Sequence, residues 1–229
     1  MIIGNGLLSN VFNQYKNNSD ILIFASGVSN SHETGKNEFL REKELLLDTI
    51  KNNTTKIIIY FSSCDVIYAN KINIAYYYHK LEMEKLIKEN VAKYYIFRLP
   101  QVIGQSSNNN SLINYFITSI KEQQEIQIWE KAYKNLIDVQ DVLVLVNNII
   151  NNEMYLNKIT NIINKNYYSI VEIIKTVEKL LNLKAKIKLI DKGFKPNYTI
   201  DYIENLGVTF NDDYLKKSLS TNYKDIIHK

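Results

Sequence analysis

Apolar residues recur along the chain at two spacings. In four segments they fall three and four apart: Leu7, Leu8, Val11, Phe12 and Tyr15; Phe39, Leu40, Leu46, Leu47 and Ile50, with Lys43 in the same phase; Val139, Val142, Leu143, Val146, Ile149 and Ile150; and Ile170, Ile173, Ile174, Val177, Leu180 and Leu181. That spacing predicts helices with one buried face. Between them lie short continuous apolar runs, Ile21 to Ala25, Ile57 to Phe61, Tyr94 to Leu99 and Ile159 to Ile163. They are too short for helices and apolar on both alternating faces, as strands covered on both sides of a parallel sheet are. Strands alternating with helices predict an α/β fold with a doubly wound parallel sheet. After the polar stretch Gln105 to Ser111 the pattern changes to a helix from Leu112, a short strand at Ile126 to Trp129, the helix from Val139 and a helix-strand-helix tail. A small second lobe is expected there.

Composition narrows the function classes. The 229 residues are 45% hydrophobic, which suits one soluble domain with a small extra lobe. The net charge of +4 comes from lysines spread singly, with no basic block interleaved with aromatics, so nucleic acid is not an expected partner. A lone cysteine, Cys64, excludes an intrachain disulfide, and His32, His79 and His228 have no zinc-site spacing, so no metal is expected. No apolar run nears the ~18 residues that span a bilayer, and Met1 runs into Ile2 and Ile3 without a basic leader. The expectation is a cytoplasmic protein with no membrane partner. His79 reads as exposed helix surface.

Two constellations could carry chemistry. Gly4-Asn5-Gly6-Leu7-Leu8-Ser9 stands where a first strand meets the first helix, with Ser9 in place of the third glycine of a dinucleotide fingerprint. Glycines there let the backbone approach a pyrophosphate, and a helix N-terminus offers unpaired N–H groups. Tyr76 and Lys80 form the chain's one Tyr-x-x-x-Lys pair. Four residues apart on a helix they share a face, so the ammonium is expected to lower the phenol pKa and ready Tyr76 for proton transfer.

The order of these features resembles the extended short-chain dehydrogenase/reductase family, in particular its nucleotide-sugar epimerases, dehydratases and reductases. Ala25-Ser26-Gly27 is similar to that family's cofactor-contacting turn after its fourth strand. Phe97-Arg98-Leu99-Pro100 through Gly104 resembles the stretch bordering the nicotinamide and substrate, and Leu136 to Val142 the strand-to-helix segment of the substrate half. The tail around Leu206-Gly207-Val208 and Asp213 to Leu219 resembles the C-terminal helix. The resemblance implies a Rossmann-like core over 1–104, completed by about 136–163, and a substrate-binding lobe from 105–135 and 164–229. It implies NAD or NADP held by Gly4, Asn5, Gly6, Leu7, Leu8, Ala25, Ser26, Gly27, Lys80, Leu99 and Pro100, and a nucleotide-sugar substrate met by Gln101 and by Lys134, which stands where the family often clamps the diphosphate with Arg. Tyr76 would be the general acid/base, Lys80 would tune it and bind the nicotinamide ribose, and Cys64 or Ser63 would assist the substrate oxygen. A role in surface-polysaccharide synthesis and a homodimer belong to the same expectation.

Three departures accompany the likeness. Cys64 stands where the family has Ser or Thr, and it precedes Tyr76 by only 12 residues. The chain passes from Tyr15 almost directly to Ile21, so the family's second and third strands have no counterpart, and neither does the acidic residue that holds the adenosine ribose; Asp20 comes too early. These losses leave a second reading, a non-catalytic binding or regulatory protein that keeps the fold with a degraded cofactor site.

Overall fold

The computed structural model describes residues 1–105, 111–200 and 206–227. Residues 106–110 of the polar stretch, and His228, lie outside the described residues. In chain order the elements are β1 (Ile2–Ile3), α1 (Leu7–Val11), β2 (Ile21–Phe24), α2 (Lys36–Asn52), β3 (Ile57–Ser63), α3 (Ala69–Ile72), α4 (Ala75–Asn90), β4 (Tyr94–Leu99), β5 (Gln101–Ile103), α5 (Leu112–Lys121), β6 (Glu125–Trp129), β7 (Tyr133–Asp138), α6 (Val139–Asn151), β8 (Ile159–Asn161), β9 (Tyr167–Ser169), α7 (Ile170–Leu181), β10 (Lys186–Ile190), α8 (Tyr214–Asn222) and α9 (Lys224–Ile227). Short 3₁₀ turns follow α1 and β3, at Asn13–Tyr15 and Cys64–Tyr68. The chain divides into two compact units: Met1–Leu99, Val142–Ile162 and Asp201–Gly207 in the first, and Pro100–Asp141, Ile163–Ile200 and Val208–Lys229 in the second.

In the first unit the four apolar runs become β2, β3, β4 and β8, and with β1 they form a five-stranded, all-parallel sheet in the order β1-β2-β3-β4-β8. Parallel strands need crossover connections, and these supply a helix layer for each face. On one face α2 and α4 lay Leu46, Ile50, Met83 and Ile87 over Leu22, Phe24, Ile58 and Ile96. Burying each such side chain is worth ~1.5–3 kcal/mol. Alternate residues of the same strands, among them Ile23, Ile59 and Phe61, are buried on the other face. There Phe12 meets Phe61 at 5.3 Å, and the Tyr15 hydroxyl donates to Asn147 of α6 at 2.7 Å. Among the described residues no strand lies beyond β1, as the missing strand pair requires. The link to β2 is a tight turn in which the Asn18 side chain accepts the N–H groups of Asp20 and Ile21, both at 2.8 Å.

Two helix expectations need correction. The segment from Leu7 to Tyr15 is not one helix: α1 stops after five residues and a 3₁₀ turn carries Tyr15. Both geometries bring residues three apart to one side, so the apolar spacing is the same for either. In α2 the buried stripe is Glu42, Leu46, Thr49 and Ile50, whereas Leu40 and Leu47 are exposed. The helix is turned from the face its leucines mark because Glu42 has buried partners, described below.

The second unit holds two small sheets. In one, β5 pairs in parallel with β7, which pairs antiparallel with β9; in the other, β6 pairs in parallel with β10. Ser111 and Ser169 cap α5 and α7, their hydroxyls accepting the N–H groups of Asn114 and Glu172. Asp138, at the end of β7, accepts the Gln140 N–H at 2.9 Å, Asn222 Nδ2 at 2.6 Å and the Ser218 hydroxyl, which ties α8 to the strand.

Candidate active site

The first strand ends in a backbone made for close approach. Gly4 has φ +126°, and a Cβ there would stand 2.4 Å from the Ala25 carbonyl oxygen. Only glycine lets the turn after β1 lie on the turn after β2. Gly6 differs: it has extended φ −89° and ψ −165°, and a Cβ on it would meet nothing within 4 Å. Asn5 and Gly6 are exposed, Leu7 and Leu8 half-buried, and no side chain caps α1. Ser9 is buried, and its hydroxyl donates to the Gly6 carbonyl at 2.8 Å, closing the turn where the fingerprint has its third glycine. With only five residues, α1 contributes a small dipole. The bare, open backbone at Gly6 leaves room for a pyrophosphate, and with no strand pair beyond β1 among the described residues, no element is present there to carry an adenosine-ribose acid.

The second element is α4, which begins at Ala75 and turns Tyr76, Tyr77, His79, Lys80, Met83, Glu84 and Ile87 inward. Lys80 is only 2% exposed. Its ammonium donates to Glu42 Oε1 at 3.0 Å and to the Tyr60 hydroxyl at 3.1 Å, and it lies 5.7 Å from the Tyr76 ring centroid. Glu42 is wholly buried and also accepts Tyr60 O–H at 2.6 Å, the Val28 N–H at 2.6 Å and His79 Nε2 at 2.9 Å. Burial pushes the Glu42 carboxyl up, but the Lys80 charge and the hydrogen bonds from His79, Tyr60 and Val28 outweigh it and hold the group at about 2. Burial pulls the Lys80 ammonium down against the opposing pull of Glu42.

Two expectations change here. His79 is not surface: it is buried, bonded to Glu42 and stacked on Phe39 at 4.6 Å. The Tyr76 phenol is not lowered. Burial, then the charges of Glu42, Tyr77 and Asp65, push it up. The ammonium meant to lower it bonds to a carboxylate instead. Tyr77, also buried, packs its ring edge-on against Tyr76 at 5.8 Å, whereas Tyr78 is exposed.

The remaining residues sit at the ends of β2, β3 and β4 or in the second unit. Ser63 ends β3, and its hydroxyl accepts the Asp65 N–H at 3.2 Å. Cys64 opens the following 3₁₀ turn, with its thiol donating to the Arg98 carbonyl at 3.3 Å. Arg98 makes a two-pronged pair with Glu84 of α4, at 2.8 and 2.6 Å, and Ser62 donates to the same carboxylate. Ala25, Ser26 and Gly27 follow β2, and a Cβ on Gly27 would lie 2.6 Å from Lys80 Nζ. Leu99 ends β4. Pro100, Gln101 and Lys134 belong to the second unit, where Gln101 pairs with Leu136 and Lys134 with Tyr168. Among the described residues no cluster suits a metal ion, and no helix is long and apolar enough to cross a membrane.

Glu42, Tyr60 and Glu84 were not among the sequence candidates. The signal for Glu42 is its phase: it stands three after Phe39 and four before Leu46, so a carboxylate occupies a buried helix position and must find partners.

The sequence model of the NAD dependent epimerase/dehydratase family matches residues 21–162. Among curated proteins none matches the chain. Solved structures do, in fold. A UDP-N-acetylglucosamine 4-epimerase from Methanobrevibacter ruminantium, solved with UDP-N-acetylmuramic acid, superposes with a TM-score of 0.72 at 17% identity, over 96% of this chain and 80% of its own. A UDP-glucuronic acid 4-epimerase from Bacillus cereus with NAD gives 0.71 at 17%, over 98% and 79%. A dTDP-4-dehydrorhamnose reductase from Bacillus anthracis with NADP gives 0.71 at 16%, over 96% and 85%.

Proposed function

Since the chain belongs to the NAD dependent epimerase/dehydratase family, we propose that it is an NAD(P)-dependent enzyme acting on a nucleotide-activated sugar. One observation carries the reading: the glycine turn after β1 rests on the Ala25–Gly27 turn, which overlies Lys80 and thus the Tyr76 face of α4. All lie at the carboxyl ends of parallel strands, where open α/β sheets bind ligands.

In this reading Gly4 to Leu8 and Ala25 to Gly27 hold the dinucleotide, with Leu99 and Pro100 beside it. Hydride exchange is what that cofactor supplies when bound. Tyr76 handles the proton. Its phenol, held up by burial, carries its proton in the unliganded chain, and in this reading it exchanges that proton with a sugar oxygen. Ser63 or Cys64 assists that oxygen, and Gln101 and Lys134 bind the sugar nucleotide. A homodimer, a cytoplasmic location and a role in surface-polysaccharide synthesis complete the proposal.

Tyr76→Phe tests it. The ring remains, so the fold should persist while turnover of UDP- or dTDP-sugars falls by the ~10²- to 10⁴-fold typical of general acid/base loss. Exposed Tyr78→Phe is the control. If Tyr76→Phe turns over like that control, Tyr76 is a packing residue and the reading falls. The second reading, a non-catalytic relative, is favoured by the Lys80–Glu42 pair. Thermal shift separates the two: a dinucleotide at a hundredfold excess over its Kd adds about 2.7 kcal/mol of stability, and no shift with NAD, NADH, NADP or NADPH favours the non-catalytic protein.

A further inference from the structure

A carboxylate presents about four lone-pair directions, and in Glu42 both oxygens are fully engaged, with the Lys80 ammonium reaching Oε2 as well as Oε1, at 3.4 Å. Oε1 takes the Lys80 ammonium and the Tyr60 hydroxyl, at 3.0 and 2.6 Å; Oε2 takes the Val28 N–H and His79 Nε2, at 2.6 and 2.9 Å. The donors come from the segment after β2, from β3 and from α4, so this one side chain joins three elements to α2. Lys80 is fixed just as closely, directly under Gly27, where a Cβ would stand 2.6 Å from its Nζ and 2.9 Å from Glu42 Oε1.

A ribose diol approaching Lys80 offers neutral oxygens. The Glu42 carboxylate offers full charge in a site with no exposed surface, and charge-assisted hydrogen bonds are roughly twice as strong as neutral ones. In that competition the ammonium stays where it is. We propose that Glu42 is a positioning residue that withholds Lys80 from the cofactor, so that a nicotinamide dinucleotide is met by the glycine turns without a lysine contact to its ribose. The inference rests on the dinucleotide reading above and deepens it: the lysine serves the fold, and cofactor affinity is set by what Glu42 keeps out of reach.

The test compares three full-length chains, the wild type, Glu42→Gln and Glu42→Gln/Lys80→Met, by titration with NADH and NADPH. Neutralising residue 42 releases the ammonium, so Glu42→Gln should bind about tenfold more tightly, the factor one charge-assisted hydrogen bond supplies. Adding Lys80→Met should abolish the gain. Acetylation of the ligand-free chains with an amine-reactive ester, read by peptide mass spectrometry, is a second readout: Lys80 should be protected in the wild type and labelled readily in Glu42→Gln. Should Glu42→Gln fail to fold, Lys80→Met alone keeps the proposal falsifiable: a lysine withheld from the cofactor can be removed without loss of affinity, so a folded Lys80→Met chain that binds NADH and NADPH more than about tenfold more weakly overturns it.

A folded residue-42 variant that binds no tighter, or a gain that survives Lys80→Met, overturns the proposal. A silent wild type beside a binding Glu42→Gln supports the withholding of Lys80 and overturns the view that the glycine turns alone hold a dinucleotide. If all three chains are silent, both fall.

Discussion

Gly4 and Gly6 stand two residues apart in one turn, yet substitution should separate folding from cofactor binding. Gly4→Ala meets two costs. A φ of +126° is a region that side-chain-bearing residues rarely adopt, and holding one there costs ~1–3 kcal/mol. The new methyl would also stand 2.4 Å from the Ala25 oxygen and 2.7 Å from its carbonyl carbon. Ordinary contact needs about 1 Å more, taken from the backbone of two paired strands, and overpacking of this kind costs a further ~1–3 kcal/mol. A total loss of about 3 kcal/mol or more lowers the melting temperature of a chain this size by roughly 6–12 °C. Gly6→Ala meets neither cost, because its backbone is extended and its Cβ touches nothing. Its stability should stay within about 0.5 kcal/mol of the wild type. Its methyl does enter the space proposed for the pyrophosphate, so NADH affinity should fall at least about tenfold, as when a preorganised polar contact is lost. Urea denaturation and fluorescence titration on the same samples read both quantities. Gly4→Ala melting with the wild type would refute the close approach of β1 to Ala25, and a stable Gly6→Ala with undiminished affinity would refute the cradle.

Stability should also depend on acid through Glu42. Its folded carboxyl is held at about 2 against an ordinary 4.5, so the stabilisation is complete above pH 4.5 and is lost as the pH falls toward 2. Linkage puts the loss at about 3 kcal/mol. A urea-stability profile of Glu42→Gln should lack this acid limb; an unchanged limb would assign it to other carboxylates. In the second unit, Asp138→Ala removes the acceptor for Gln140 N–H, Asn222 and Ser218, and should cost about 2–3 kcal/mol in urea denaturation. A loss under about 0.5 kcal/mol would mean that apolar contacts alone hold α8 to the strand.

The strands of the first sheet were legible because residues buried on both faces leave continuous apolar runs, and Ile57 to Phe61 lies within β3. β1 leaves no such run in its two residues and shows itself only through the glycines after it. Helix spacing marked α6 and α7 well, since their apolar faces have no polar rival. It misplaced the buried face of α2, where Leu40 and Leu47 outvoted Glu42 and Thr49. The site was harder for the same reason. Tyr76 and Lys80 do share a helix face, but the partner that decides the state of Lys80 lies 38 residues earlier, on another helix. Pair spacing along one helix says nothing about a carboxylate brought in from elsewhere.

The short first strand has a consequence for how the chain keeps to itself. A sheet that ends early exposes a row of unpaired backbone groups, the template on which other chains can add strands. Here the outermost strand is two residues long. Its neighbour β2 is covered along the same side, where the Met1 carbonyl accepts the Ile23 N–H at 2.9 Å and the Ile3 carbonyl accepts the Ala25 N–H at 2.8 Å. What these residues leave open on that side is one two-residue strand, a small template for edge-to-edge pairing.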